Sequence, residues 1–188
     1  MYDMYMKNKV KKVKVTWQEI EKLAKKVAKQ VNDMSEAGYQ FDAIVCIGRG
    51  SMVPSRLISE YTGIKQIYFA DVKAYTEDDK LGKVTCNLYM PKLEHKGILL
   101  VDDCLTTGTT MNAVEKAVTA KVNCLRYAHK IVLFKNEHNL QHAVYGKLYD
   151  ADKIWLVFPW EVGCIKQHKQ DSNADREYII NNNTKYMY

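Results

Sequence analysis

The chain has no Cys-x-x-Cys pair, no internal repeat and no apolar run of membrane-spanning length. Its five cysteines, Cys46, Cys86, Cys104, Cys124 and Cys164, are odd in number and widely spaced. That pattern speaks against a disulfide framework or a thiolate zinc site and points to a reducing compartment. The N-terminus lacks the apolar core of a secretory signal. A cytoplasmic protein without membrane contact is therefore expected. No linker interrupts the 188 residues, so one domain spanning 1–188 is expected.

Charged residues make up 27% and hydrophobic ones 47%, the ordinary balance of a folded chain with a sizeable core. The net charge of +6 is partly local, because Lys7, Lys9, Lys11, Lys12 and Lys14 crowd the start. A solvated strand edge or arm and a nucleic-acid patch are both open readings of that run. The run lacks interleaved aromatics and no helix-turn-helix pattern is visible, so nucleic acid is not expected as a partner. A positive surplus also suits a polyphosphate substrate.

What is there centres on residues 97–111, GILLVDDCLTTGTTM. The apolar start reads as a buried, central strand of a parallel sheet that ends at the Asp102–Asp103 pair. Met111, Val114 and Val118 then fall at helical spacing. Thr107, Gly108, Thr109 and Thr110 at the helix start can aim backbone N–H groups and hydroxyls at a phosphate, aided by the helix dipole. Asp102 and Asp103, one step upstream, can accept hydrogen bonds from vicinal hydroxyls. A phosphate cradle beside a diol clamp describes a ribose 5-phosphate site. Carboxylates that merely cap a helix are the plainer alternative.

Around this stretch, 11–15 reads as a short strand and Thr16-x-x-Glu19 as a capping box. Ile20, Leu23, Ala24, Val27, Ala28 and Val31 form the apolar stripe of the helix that follows. Residues 41–47 read as a buried strand leading into Gly48-Arg49-Gly50-Ser51, with Ser51 as a helix cap. Strands at 66–72, 84–89 and 125–134 follow. The polar stretch 76–83 is either a mobile lid or a hairpin tip. Lys135 lies at a strand end, and Trp155 offers a flat ring beside Leu156. From Gln167 onward the chain is polar, either a partly disordered tail at 167–188 or an oligomer contact.

The order of apolar strand, paired acids and Thr-Gly-x-Thr resembles the phosphoribosyl-pyrophosphate (PRPP) signature of the type I phosphoribosyltransferases. Val15-Thr16-Trp17 and Trp155 with Pro159-Trp160-Glu161-x-Gly163 are similar to the xanthine-guanine branch, and the Arg49-Gly50 turn with Val53-Pro54 resembles the family's pyrophosphate loop. The resemblance covers about 11–163 and implies an α/β fold, a twisted, mainly parallel sheet flanked by helices with a small hood at 76–83. It implies transfer of a phosphoribosyl group from PRPP to a nucleobase, foremost a 6-oxopurine, with Mg²⁺, in a homodimer or homotetramer. Asp102, Asp103 and Thr106 would be the catalytic set. PRPP would be held by Arg49, Gly50, Asp102, Asp103, Thr106, Thr107, Gly108, Thr109 and Thr110. The base would meet Lys135, Trp155 and Leu156, and the metal Asp103 and, through water, Glu161. The resemblance also implies a cis peptide between Arg49 and Gly50.

One position departs from the pattern. Enzymes that use 6-oxopurines usually carry an aspartate just before Thr-Gly, near the purine N7, where this chain has Thr106. Threonine hydrogen-bonds but is no useful proton acceptor near neutral pH. Orotate enzymes of the same fold carry threonine there and adenine enzymes alanine. Three readings stay open: a 6-oxopurine enzyme, an enzyme of another base, and a catalytically silent sensor of PRPP or nucleotides.

Overall fold

The computed structural model describes residues 10–74 and 84–161. Strand β1 (Lys11–Lys14) leads into helix α1 (Trp17–Glu36), then β2 (Ala43–Ile47), α2 (Met52–Thr62), β3 (Gln66–Ala74) and β4 (Val84–Tyr89). The short β5 (Leu93–Glu94) precedes β6 (Gly97–Leu105) and α3 (Thr109–Lys121). The chain then passes through β7 (Val122–Asn123), β8 (Tyr127–Asn136), β9 (Val144–Tyr149) and β10 (Ile154–Val157). No helix among the described residues is long and apolar enough to cross a membrane.

The six-stranded main sheet has the order β4-β3-β2-β6-β8-β9. All neighbours pair in parallel except β3 and β4, which run antiparallel at one edge with Ala74 opposite Val84. The stretch expected to form the hood, 76–83, lies outside the described residues, as do Lys7, Lys9 and the tail at 167–188.

Helices cover both faces because each presents one apolar stripe. The six apolar residues expected to line α1 are all buried. Val27 and Val31 join Ile58 of α2 over Ile44, Leu99, Val101 and Ile131. On the opposite face Met111, Val114 and Val118 of α3 pack on Val45, Ile98, Leu100 and Val132. A third cluster joins Ile20, Leu23 and Ala24 to Leu133, Phe134, Tyr149 and Phe158. It supports a separate two-stranded parallel sheet in which Lys12 lies opposite Trp155 and Val13 opposite Leu156. The basic strand β1 is thus an edge partner for β10.

Thr16 caps α1, accepting the Glu19 N–H at 3.1 Å. The other half of the expected box is redirected, since the Glu19 carboxylate accepts a hydrogen bond from Lys147 at 2.7 Å. Strand β6 does not end at the aspartates but runs on to Leu105, because β8 offers ladder partners as far as Lys135. Likewise β8 spans 127–136, so Lys135 sits inside the strand.

Candidate functional site

In a parallel sheet every strand points its carboxyl end to one edge, and ligands bind where the loops there part. The ends of β2, β6, β8 and β9 meet at that edge. After β2, Gly48 adopts φ +58° and starts the turn 48–51, which leaves Arg49 exposed. The Arg49–Gly50 peptide is trans, contrary to the expectation from resemblance; Gly48 accommodates the tight turn. Ser51 stands at the N-cap of α2 but does not cap it. Its hydroxyl donates back to the Ile47 carbonyl at 2.7 Å and lies 3.1 Å from the Cys46 thiol.

Gly50 faces the acidic segment of β6. A Cβ added to Gly50 would overlap Asp103 Oδ2 and lie 3.0 Å from the carboxyl carbon, so the carboxylate would have to move. The alternation of β6 slips at this point: Ile98, Leu100 and Leu105 all join the core under α3, although strict alternation would send Leu105 to the other face. The carboxylates take up local donors, Asp102 accepting from the Asp103 N–H at 2.9 Å and Asp103 from the Cys104 N–H at 2.6 Å.

Burial pushes the Asp102 carboxyl well above the usual range, and the neighbouring Asp103 charge adds to this. Burial also raises Asp103, to about 6; the Glu161 charge adds to the rise and the Cys104 N–H opposes it. Burial followed by the two aspartate charges likewise raises the Cys104 thiol, so it stays protonated and packs as a small apolar group. Glu161 uses one oxygen to accept the Phe158 N–H at 2.9 Å. Among the described residues no cation pairs with the Asp102 and Asp103 carboxylates, an oxygen donor set that suits a hard cation. Among the described residues only Glu137, His138 and Asp150 bring three ligand atoms within 4.8 Å of one another. Asp102, Asp103 and Glu161 form no such group.

Beyond β6, Gly108 takes φ +83° as the N-cap of α3 and has no side chain to cap the helix. Thr107, Thr109 and Thr110 are exposed there, with the Thr107 and Thr109 hydroxyls 3.1 Å apart. Thr106 is half-buried, its hydroxyl 2.7 Å from the Tyr149 phenol oxygen. The Lys135 ammonium lies 5.6 Å from the centre of the Tyr145 ring. Trp155 is exposed on β10, whereas Leu156 packs into the Phe134 cluster.

The structure thus sets Gly50 against Asp103, on which the Glu161 charge acts, but sends the Lys135 ammonium to an aromatic ring. Sequence reasoning missed Tyr149, Asn139 and Gln141. The Asn139 amide donates to the Thr106 carbonyl at 2.9 Å, and Gln141 packs over Gly108. The signals available were a short edge strand and two polar loop residues, neither of which announces a site.

Residues 15–166 match the family of the phosphoribosyl transferase domain. A curated relative, the xanthine-guanine phosphoribosyltransferase of Chromohalobacter salexigens, is 28% identical over 65% of this chain and 70% of its own length. Among solved structures, a purine phosphoribosyltransferase from Pyrococcus horikoshii superposes with a TM-score of 0.68 at 24% identity. It covers 80% of this chain and 94% of its own. The xanthine-guanine-hypoxanthine phosphoribosyltransferase of Helicobacter pylori gives 0.68 at 22% identity, over 85% and 99%. These two structures share the fold.

Proposed function

The chain belongs to the phosphoribosyl transferase domain family and is a phosphoribosyltransferase; from that premise we propose that its base is a 6-oxopurine, foremost guanine, xanthine or hypoxanthine. The bond from ribose C1 to pyrophosphate breaks, a bond from C1 to a purine nitrogen forms, and the base gives up one proton. The products are a nucleoside 5′-monophosphate, pyrophosphate and that proton. One observation carries the assignment of the site: the turn bearing Arg49 and the acidic end of β6 touch through Gly50 and Asp103, beside the uncapped start of α3.

In this reading Thr107, Gly108, Thr109 and Thr110 hold the 5-phosphate with hydroxyls and backbone N–H groups. Asp102 and Asp103 accept hydrogen bonds from the ribose hydroxyls and favour the positive charge that develops on the ring. Arg49 and the Gly50 N–H face the pyrophosphate. Lys135 swings from the Tyr145 ring to the exocyclic oxygen of the purine, while Trp155 stacks on the base and Leu156 offers its backbone polar groups. Mg²⁺, held by Asp103 and through water by Glu161, would offset the negative charge growing on the leaving pyrophosphate. The name of the Chromohalobacter relative supports the choice of base.

The test is pyrophosphate release with PRPP and Mg²⁺ against guanine, xanthine, hypoxanthine, adenine, orotate, uracil and nicotinate. Release with a 6-oxopurine, lost in Asp103→Asn, is expected. Release with another base replaces the substrate and keeps the reaction. Silence, with PRPP still raising the melting temperature, turns the reading to a sensor.

A further inference from the structure

Thr106 is held from two sides by groups of the β8–β9 arm. Its carbonyl accepts the Asn139 side-chain amide at 2.9 Å, and its hydroxyl lies 2.7 Å from the Tyr149 hydroxyl. Asn139 is buried and fixed in turn, its own oxygen accepting the Gln141 N–H at 2.8 Å. Lys130 donates to Gln141 and to Asn112 of α3, and pairs with Glu115 at 3.0 Å. The loop between β6 and α3 is thereby tied to its neighbouring strands.

Tyr149 is only 9% exposed. Its ring stands edge-on to Phe134 at 6.4 Å, in the cluster that also holds Phe158 and Leu156. A packed aromatic body with a polar tip delivers its hydroxyl to a fixed place. Here that place is the Thr106 hydroxyl, between the paired aspartates and the phosphate-facing helix start. Either hydroxyl can donate to the other. When Tyr149 donates, the Thr106 proton can turn outward or toward the Cys104 thiol 3.9 Å away; when Thr106 donates to Tyr149, its lone pairs stay available. The pair therefore meets a ring nitrogen as donor or acceptor and carries no charge.

Resting on the reading of this edge as a nucleobase site, we propose that Tyr149 is a specificity-determining positioning residue. It orients the Thr106 hydroxyl toward a ring nitrogen of the base, and Asn139 fixes the Thr106 backbone for the same contact. Tyr149 acts through Thr106 and does not touch the sugar or phosphates.

The experiment is a double-mutant cycle with Tyr149→Phe, which keeps the packed ring, and Thr106→Val, with Thr106→Ser as the conservative rescue. With the base that the wild type uses, Tyr149→Phe is expected to lower kcat/KM for base about tenfold, the scale of one lost hydrogen bond. The KM for PRPP stays unchanged, Thr106→Ser retains most activity, and the double variant is no worse than Thr106→Val. Multiplying losses in the double variant, or an equal rise in the PRPP KM, overturn the proposal. If the wild type turns over no base, the enzyme reading fails while the proposal is still read by binding. Tyr149→Phe then weakens guanosine 5′-monophosphate and leaves ribose 5-phosphate unchanged. Equal effects on both ligands, no effect on either, or no binding of either by the wild type overturn it.

Discussion

Gly50 lies against the Asp103 carboxylate so closely that a side chain there would displace it: a Cβ would overlap Oδ2 and stand 3.0 Å from the carboxyl carbon. The contact joins the turn after β2 to strand β6, more than fifty residues further on, and it sets where the carboxylate points. Asp103 also accepts the Cys104 N–H at 2.6 Å, so its rotation has little freedom. Gly50→Ala is therefore expected to turn the carboxylate away from the ribose hydroxyls. Turnover should fall about a hundredfold, the scale of an ångström-sized misplacement, while the melting temperature changes little. Steady-state kinetics alongside thermal denaturation checks this.

The raised proton affinity of Asp103 links stability to pH. Its folded value of about 6 lies above the ordinary 3.8, so between these values the folded state binds more protons than the unfolded one. The Asp103 contribution must fall as pH rises through that window and level off above it, while Asp102, also raised by burial, adds a fall of its own. Asp103→Asn, which cannot ionise, should match the wild type near pH 4 and melt higher near pH 7. The stabilisation that Mg²⁺ and PRPP give the wild type should grow over the same window, because ligand binding takes the ionised form. Melting curves from pH 4 to 8, with and without both ligands, test the sign.

Much of this architecture is legible in the sequence because its signals are local. The α1 stripe, the strand-turn-helix of 97–111 and the hairpin strand β4 follow from periodicity and turn chemistry. The end of β6 does not, since aspartates read as strand breakers until β8 is seen to extend the ladder to Leu105. Strand β9 is hidden by Gly146 and Lys147, which spoil its alternation. The hydroxyl pair of Thr106 and Tyr149 joins residues 43 apart, and no local pattern encodes it. Roles for Lys135 and Trp155 rest on resemblance and remain part of the proposal.

Gly146 offers a contrast with Gly50, because it serves packing. A Cβ there would lie 2.7 Å from the Leu133 carbonyl oxygen and 3.0 Å from the Leu23 Cβ, in the seam between β8 and α1. Neither neighbour is a flexible tip. Gly146→Ala should destabilise the fold by about 1–3 kcal/mol, the usual cost of overpacking. Turnover per folded molecule should be retained, since the clash lies among core groups. Chemical denaturation paired with active-site titration separates the two effects.

Thr106→Asp introduces the proton acceptor that Thr106 cannot supply. Tyr149 can donate to the new carboxylate, as it can to the Thr106 hydroxyl, so the orientation proposed for the base contact is kept. The substitution also adds a third acid beside Asp102 and Asp103, both already raised by burial. Two opposed effects follow. Turnover on guanine or hypoxanthine should rise about tenfold, below the full range of general acid-base catalysis because the new carboxyl is itself partly protonated. The melting temperature should drop, and drop further as pH rises and the three acids ionise together. A pH series of kcat and melting temperature on this variant resolves both. A drop in stability without any gain in turnover would mean that the base loses its proton to water or to a phosphate oxygen, and that the neutral pair at Thr106 serves binding alone.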